Sequence, residues 1–160
     1  MKYVCALGML LLVGSAIAQE LSRDAGYDVL EGLVGSWTIP GQEGKYLETC
    51  DWYHGRRHIV CNTESKRGDG STSHSMSILS LVPGQGYVYT GIGSRGRYET
   101  HEGGTFKDGI LEYVDRTPET TTRIRVGPFE DRKVVPFRVH TSTDGLKWDE
   151  VESFTYIRVK

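Results

Sequence analysis

The spacing of apolar side chains changes once along this chain. In residues 24–35 they recur three or four positions apart, which is the spacing of one face of a helix. These apolar positions are Tyr27, Leu30, Leu33 and Val34. From Ser36 onward the period is two, in segments rich in Val, Ile, Thr and Tyr that turn residues separate. The pattern predicts one short helix, ended by Gly35, and after it only strands.

Ten segments have this strand-like period of two. They cover residues 36–39, 46–53, 58–65, 74–82, 87–94, 97–102, 110–114, 121–126, 134–141 and 148–158. The links are short and contain turn residues, as at Pro83-Gly84 and Asp144-Gly145, so consecutive strands are expected to pair antiparallel. About ten strands are more than an open sheet usually holds without closing. We therefore predict an all-β, antiparallel up-and-down barrel of about eight to ten strands, with the helix closing one end.

Two cysteines lie at matching positions on either side of one predicted turn. Cys50 and Cys61 are equidistant from Gly55-Arg56, where a glycine in the first central position suits a two-residue type II′ turn. The same register pairs Trp52 with Ile59 and places both on the face that we assign to the barrel interior. Counted from that turn, the cysteines form a hydrogen-bonded pair with Cα atoms about 5.5 Å apart, which a disulfide can bridge. Two free buried thiols are the alternative.

Trp37 in the first strand and Arg158 in the last are predicted to meet where the barrel closes. A guanidinium stacked on the indole fills volume and can satisfy nearby carbonyl groups. If the interior is open, other side chains form the wall of a ligand cavity. The candidates for this wall are Trp52, Ile59, Met76, Ile78, Tyr87, Tyr89, Glu152, Phe154 and Tyr156. A filled core is the alternative, because small barrels often pack their interiors solid.

The last strand contributes to this interior through its alternation. Every second residue along it falls on one face. That face holds Trp148, Glu150, Glu152, Phe154, Tyr156 and Arg158. If Arg158 meets Trp37 inside, Glu152 lies near the cavity mouth, where a carboxylate can orient a ligand or act as a general base. The alternative, that Glu150 and Glu152 face solvent, stays open because a bulge would reverse the alternation.

Several short motifs, taken together, resemble a known group of proteins. They are Leu33-Val34-Gly35-Ser36-Trp37, Thr49-Cys50-Asp51-Trp52, Arg57-His58-Ile59-Val60-Cys61, Tyr87-Val88-Tyr89-Thr90-Gly91-Ile92, Gly104-Thr105-Phe106-Lys107-Asp108-Gly109 and Thr143-Asp144-Gly145-Leu146-Lys147-Trp148. In order and spacing they are similar to the lipocalin-like secreted bacterial domains of unknown function, within the calycin superfamily of barrels. The resemblance spans nearly all of residues 28–160. It implies a barrel of about eight to ten strands with a central cavity, and it implies no activity.

The N-terminal segment has the pattern of a cleaved secretory signal. Residues 1–18 carry Lys2 as their only charge, an apolar run from Val4 to Val13, and Ala16-Ile17-Ala18 before Gln19. We expect cleavage between Ala18 and Gln19, and a secreted or periplasmic mature protein. Such a compartment is oxidising, which favours a disulfide between the two cysteines that remain.

Length and charge describe the mature chain further. Residues 19–160 suit a single barrel domain. The full chain has 19 Lys and Arg against 21 Asp and Glu, and the signs alternate along it. Because no basic stripe is present, a nucleic-acid partner is not expected. No later segment is apolar for long enough to predict an integral membrane span.

Few motifs point to a specific chemistry. Residues 91–96 match the glycine fingerprint of dinucleotide-binding proteins, but that fingerprint needs a helix directly afterwards and here another strand is predicted. The five histidines lack metal-ligand spacing and are interpreted as surface or hairpin residues. They are His54, His58, His74, His101 and His140. With no Gly-x-Ser-x-Gly elbow either, the sequence names no catalytic residue and no metal ligand, and it leaves the cofactor unknown.

Three functional hypotheses remain open at this point. The first is a barrel that binds a small, largely apolar ligand in its interior, of unknown identity. The second is an enzyme that uses a cavity Glu or His as acid or base. The third is a scaffold that meets a protein partner through exposed loops such as 66–73 or 127–133. The first is the preferred prediction.

Overall fold

The computed structural model describes residues 26–129 and 132–159. The predicted signal segment and its cleavage site lie outside the described residues. Ten strands are present: β1 (Gly35–Thr38), β2 (Tyr46–Tyr53), β3 (His58–Lys66), β4 (Thr72–Val82), β5 (Gly86–Gly93), β6 (Tyr98–Lys107), β7 (Ile110–Arg116), β8 (Thr121–Val126), β9 (Val134–Ser142) and β10 (Asp149–Arg158). Each of the ten predicted segments corresponds to one of them.

The strands form a closed barrel in which every neighbour is antiparallel and follows in sequence. The short strand β1 closes it, because β1 pairs with β10 on one side and with β2 on the other. The predicted all-β up-and-down barrel is therefore confirmed. In this topology the loops alternate between the two ends, so β3 and β8, which lead into the predicted partner loops 66–73 and 127–133, terminate at opposite ends of the barrel.

A short helix covers one end, which we call the closed end. Residues 26–30 are helical and continue into a 3-10 turn at Glu31–Leu33. Tyr87 Oη donates a hydrogen bond to the Gly26 carbonyl at 2.8 Å, and the Leu30 side chain is fully buried. These contacts fix the helix against the barrel. In the part of the chain that the structure describes, no helix is long and apolar enough to cross a membrane.

Apolar side chains fill the barrel beneath this helix. The buried cluster consists of Leu30, Trp37, Cys50, Ile59, Cys61, Leu79, Tyr87, Leu111, Tyr113 and Val135. Their alternation along each strand places them on the inner face. Burial of this cluster is the main force that holds the helix and the barrel together. The opposite half of the barrel has a different lining.

The first hairpin has the predicted register. Cys50 pairs with Cys61 and Trp52 pairs with Ile59. A disulfide joins the two cysteines, whose Sγ atoms are 2.06 Å apart. Cys50 is 3% exposed and Cys61 is 8% exposed, so the disulfide belongs to the core.

The turn of this hairpin differs from the prediction. Four residues, 54–57, connect the strands, and φ is positive at His54, Gly55 and Arg56. A type II′ turn has positive φ only at its first central residue, so that assignment was wrong. The longer loop also shifts the alternation of the ladder by one pair. The Cα atoms of Cys50 and Cys61 are 4.0 Å apart, closer than the predicted hydrogen-bonded pair and nearer to the spacing of a non-hydrogen-bonded one.

Two predicted cavity residues lie on the outer face of β4. Leu79 is buried, and alternation from it places Ser77 inside. Met76 and Ile78 therefore face outward, and Met76 is 37% exposed. Their assignment to the cavity wall was wrong because apolar character alone does not specify which face of a strand a residue occupies.

A β-bulge divides β10. Glu150 pairs with His140, whereas Glu152 pairs with Val139, and the register shifts between them. The extra residue, Val151, reverses the alternation. Glu152 keeps the inward register of Tyr156 and Arg158, while Glu150 joins the outer face. The predicted single face of the last strand is thus correct only after the bulge.

Candidate functional site

Three of the predicted cavity residues pack against the closed end. Ile59 is fully buried and Tyr87 is 6% exposed. Trp52 Nε1 donates to the Glu31 carboxylate at 2.8 Å, which attaches the end of β2 to the helix. These side chains are occupied by contacts with the helix and the core, so they line no free wall.

Arg158 lies over the ring of Trp37, with its guanidinium carbon 4.4 Å from the ring centroid. Its Nη1 donates to the Val34 carbonyl at 2.8 Å, and its Nε donates to the Arg132 carbonyl at 2.5 Å. Trp37 Nε1 donates to the Leu33 carbonyl at 2.7 Å. The pair therefore connects the helix to the seam between β1 and β10.

Other predicted residues form an aromatic wall on β9 and β10. Phe154 stacks on Phe137 with ring centroids 4.6 Å apart, and Tyr156 contacts Phe154 edge-on at 5.1 Å. Glu152 continues the same inward register but is exposed. Its predicted place near a mouth is compatible with this register, and its role stays a prediction.

A carboxyl group that the sequence analysis did not single out lies inside the barrel. Glu48 is two residues before Cys50, so it faces inward. Tyr46 Oη donates to its Oε2 at 2.9 Å, and Thr63 Oγ1 donates to the same oxygen at 3.1 Å. The Tyr156 hydroxyl is 3.5 Å from that of Tyr46. Three strands thus bring polar groups around one buried carboxyl.

The other oxygen of Glu48 has a different neighbour. Oε1 lies 3.6 Å from the Sγ of Cys50, and a disulfide sulfur carries no hydrogen to donate. Glu48, Cys50 and Cys61 place ligand atoms within 4.8 Å of one another. The disulfide leaves no thiolate for a metal ion to bind. Oε1 is therefore an acceptor without a donor from the described residues.

Burial controls ionisation in this cluster. Desolvation raises the pKa of Glu48 above its usual value, and the hydrogen bonds from Tyr46 and Thr63 only partly oppose this. Desolvation also raises the pKa of Tyr46 and of Tyr156, with the nearby Glu48 charge as the second cause in each case. The tyrosines therefore keep their hydroxyl protons, and Glu48 is the group most ready to change charge.

A histidine and an aspartate form a second polar pair inside the barrel. His101 Nδ1 is 2.5 Å from Asp115 Oδ2, on strands β6 and β7. The His101 ring stacks on Tyr89 with centroids 5.7 Å apart and lies 5.9 Å from Tyr113. Its side chain is 18% exposed. The interpretation of His101 as a surface histidine was wrong, because its ring packs between two inward-facing tyrosines.

Tyr89 belongs to the second of these polar groups, because its ring stacks on His101. Desolvation raises its pKa to about 12, followed by the charge of Glu99, and Glu48 contributes a smaller rise. Gly91 makes room for this arrangement: a Cβ there would lie 2.9 Å from Tyr89 Oη and 3.2 Å from Glu99 Oε1. The glycine within residues 91–96 serves inward side chains, and a strand follows the motif as expected.

Tyr113 has a buried hydroxyl with no hydrogen-bond partner among the residues that the structure describes. The residue is 3% exposed, and its ring covers Gly104, where a Cβ would come within 2.5 Å of it. Burial raises the pKa of the Tyr113 hydroxyl above its usual value, and the charges of Tyr89 and Tyr87 raise it further. An unsatisfied buried hydroxyl is costly, so this atom marks a place where a partner is missing.

A cleft of about 420 Å³ opens on the surface beside β1. Its walls are Thr38, Glu43, Gly44, Lys45, Tyr46, Leu47, Glu64, Lys66, Ile157, Arg158 and Val159. Tyr46 belongs to this cleft and also donates to Glu48. The cleft and the buried carboxyl therefore share one residue, Tyr46.

No protein-family model matches this chain, and the comparison with curated proteins found no significant match. The resemblance to lipocalin-like domains thus rests on the motifs, and the closed ten-stranded antiparallel barrel is consistent with it. The site has to be interpreted from its own geometry.

Glu48→Gln tests whether the buried carboxyl is costly. Because the folded-state pKa is raised, ionisation destabilises the fold; this cost is absent below the unfolded value near 4.5 and grows as pH rises toward the folded value. We expect the free energy of unfolding of Glu48→Gln, relative to the parent, to increase with pH across that window. Urea denaturation at several pH values measures it. The exposed control Glu119→Gln should show a smaller pH dependence, and a flat difference for Glu48→Gln would contradict the assignment.

Proposed function

We propose that this protein is a secreted or periplasmic barrel that binds a small molecule in its interior, beside the Glu48 carboxyl. The observation that carries the proposal is the Glu48 carboxyl, which is held inside the barrel with one oxygen lacking a donor. Proteins rarely bury such a group without a partner or a function. A ligand that donates a hydrogen bond to Oε1 supplies the partner.

The side chains that line the interior indicate which kind of ligand would bind there. Aromatic rings of Tyr89, Phe154 and Tyr156 supply contact area for an apolar body. Glu48 and the Tyr113 hydroxyl add two polar contacts that fix orientation. The predicted ligand was small and largely apolar; the lining favours one with an apolar body and at least one hydrogen-bond donor. The cleft beside Tyr46 is the proposed entrance.

Two features support the proposed secreted or periplasmic location. The Cys50–Cys61 disulfide suits an oxidising environment, and residues 1–18 have the composition of a secretory signal. Export would also explain why a small barrel with a short helix uses a covalent link in its core.

Native mass spectrometry of protein recovered from the secreted fraction of its own source tests this function. We expect an intact mass that begins at Gln19 and an additional, reproducible small-molecule mass that is lost on denaturation. Glu48→Gln should reduce the bound fraction because it removes the carboxylate, and Glu119→Gln in an exposed turn should leave it unchanged. An apo mass for the parent, together with no uptake from a panel of lipids, haem and small metabolites, would contradict the proposal.

The His101–Asp115 pair favours acid–base catalysis as a second candidate function. A carboxylate bonded to Nδ1 fixes the imidazole tautomer and leaves Nε2 to exchange a proton with a substrate. The experiment that separates the two functions is incubation of the protein with its recovered ligand. An unchanged ligand mass supports binding, whereas a new mass that His101→Gln abolishes supports catalysis.

A further inference from the structure

The charges inside the barrel are unevenly compensated. Asp115 pairs with His101, and Glu99 pairs with Arg97 at 3.1 Å. None of the ion pairs within residues 26–129 and 132–159 involves Glu48. The one inward-facing arginine of the closed end, Arg158, is bound to Trp37 and to backbone carbonyls. Glu48 is therefore a buried inward carboxyl that pairs with no cation among the described residues.

The two oxygens of Glu48 differ in their hydrogen-bond partners, and this difference shows which of them a ligand can reach. Oε2 already accepts from Tyr46 and Thr63. Oε1 faces the disulfide sulfur of Cys50, which cannot donate. A group that completes this carboxyl must bring its own N–H or O–H, and a charged N–H compensates the buried charge most effectively.

Two aromatic rings lie beside the same carboxyl. Tyr46 Oη is 2.9 Å from Oε2, its hydroxyl is 3.5 Å from that of Tyr156, and the two ring centroids are 6.2 Å apart. The faces of tyrosine rings attract cations, and the attraction is larger where water is excluded. Rings and carboxylate together favour a positively charged group over a neutral one.

Tyr113 provides an observation that is independent of these charges. Its hydroxyl is buried without a hydrogen-bond partner among the described residues, and the His101 ring, which stacks on Tyr89, lies 5.9 Å from the Tyr113 ring. A ligand that also meets this hydroxyl needs a body able to stack on an aromatic ring.

We propose that the interior site takes a small organic cation, a protonated amine on an aromatic or aliphatic body, with its ammonium group on Oε1 of Glu48. The inference rests on the proposed interior site and names the class of its ligand. Small organic acids are excluded, because an acid would place a second negative charge beside Glu48. Lipids without an amine are excluded as well, because they bring no cation to this carboxyl.

Isothermal titration calorimetry with three matched probes tests the ligand class. Phenethylamine, 2-phenylethanol and phenylacetate share a benzene ring and a short tether, and at neutral pH they are a cation, a neutral alcohol and an anion. We expect phenethylamine to bind the mature protein at least about tenfold more tightly than the alcohol, and phenylacetate not to bind. Glu48→Gln should remove most of the preference for the amine, and Glu119→Gln should keep it.

The outcomes separate this inference from the proposed function. If 2-phenylethanol or phenylacetate binds as well as the amine, and Tyr113→Phe weakens that binding, the interior site stands and the cation class is wrong. If the amine binds equally to the parent and to Glu48→Gln, the ammonium is not on Glu48 and the inference is overturned. If no probe binds and the native protein is also apo, both proposals fail.

Discussion

Replacing Trp37 with alanine is expected to lower the free energy of unfolding by about 3–5 kcal/mol. The ring is 2% exposed, so its removal leaves a cavity at the closed end. The change also frees the Leu33 carbonyl, which now accepts from Trp37 Nε1, and the face of Arg158 loses its aromatic support. Chemical denaturation followed by far-ultraviolet circular dichroism measures the loss.

Trp148 offers a matched control for this substitution. It also lies against an arginine, with the Arg123 guanidinium carbon 4.1 Å from its ring centroid, but it follows the outer face of the barrel. Trp148→Ala should cost about 1–2 kcal/mol, because Trp148 and Arg123 are only half-buried and their cation–π contact contributes little beyond the area that it covers. Equal losses for the two variants would mean that Trp37 has no special role in closing the barrel.

Removal of the disulfide is expected to lower the free energy of unfolding by about 3 kcal/mol. The link spans a sequence separation of 11 residues, and most of its effect in the chain-entropy model is on the unfolded state. The double variant Cys50→Ala/Cys61→Ala is preferable to serine, because a serine hydroxyl at position 50 would offer Glu48 a new hydrogen bond. Denaturation midpoints with and without reductant provide the comparison.

The parent in reductant and the double variant in buffer should lose similar stability if the covalent link is the cause. Reductant should leave the double variant unchanged. Identical midpoints for the parent under oxidising and reducing conditions would contradict the prediction.

The interior carboxyl could have been found from the sequence. The cysteine register placed Cys50 and Trp52 inside, and the same alternation extended backward gives Glu48 and Tyr46. A charged residue at an inward position of a strand is unusual and points to a site. The alternation of β2 alone therefore places Glu48 inside.

Other parts of the site were beyond sequence reasoning. The partner of His101 depends on β6, whose ladder with β5 shifts register between Tyr87 and Tyr89. The inward face of β10 depends on the bulge between Glu150 and Glu152. A bulge changes the face of every residue beyond it, and no local pattern in the chain specifies where it falls.

The sequence by itself determined the number of strands, their order, the antiparallel barrel and the pairing of the two cysteines. These follow from local periods of two, short turns and a symmetric cysteine spacing, which act between neighbours in the chain. Only the tertiary structure decided which polar groups meet inside. Glu48, Tyr156, Tyr89 and His101 come from four different strands, and closure of the barrel with its two bulges sets the distances between them. The fold is therefore encoded locally, whereas the site exists only once the barrel has closed.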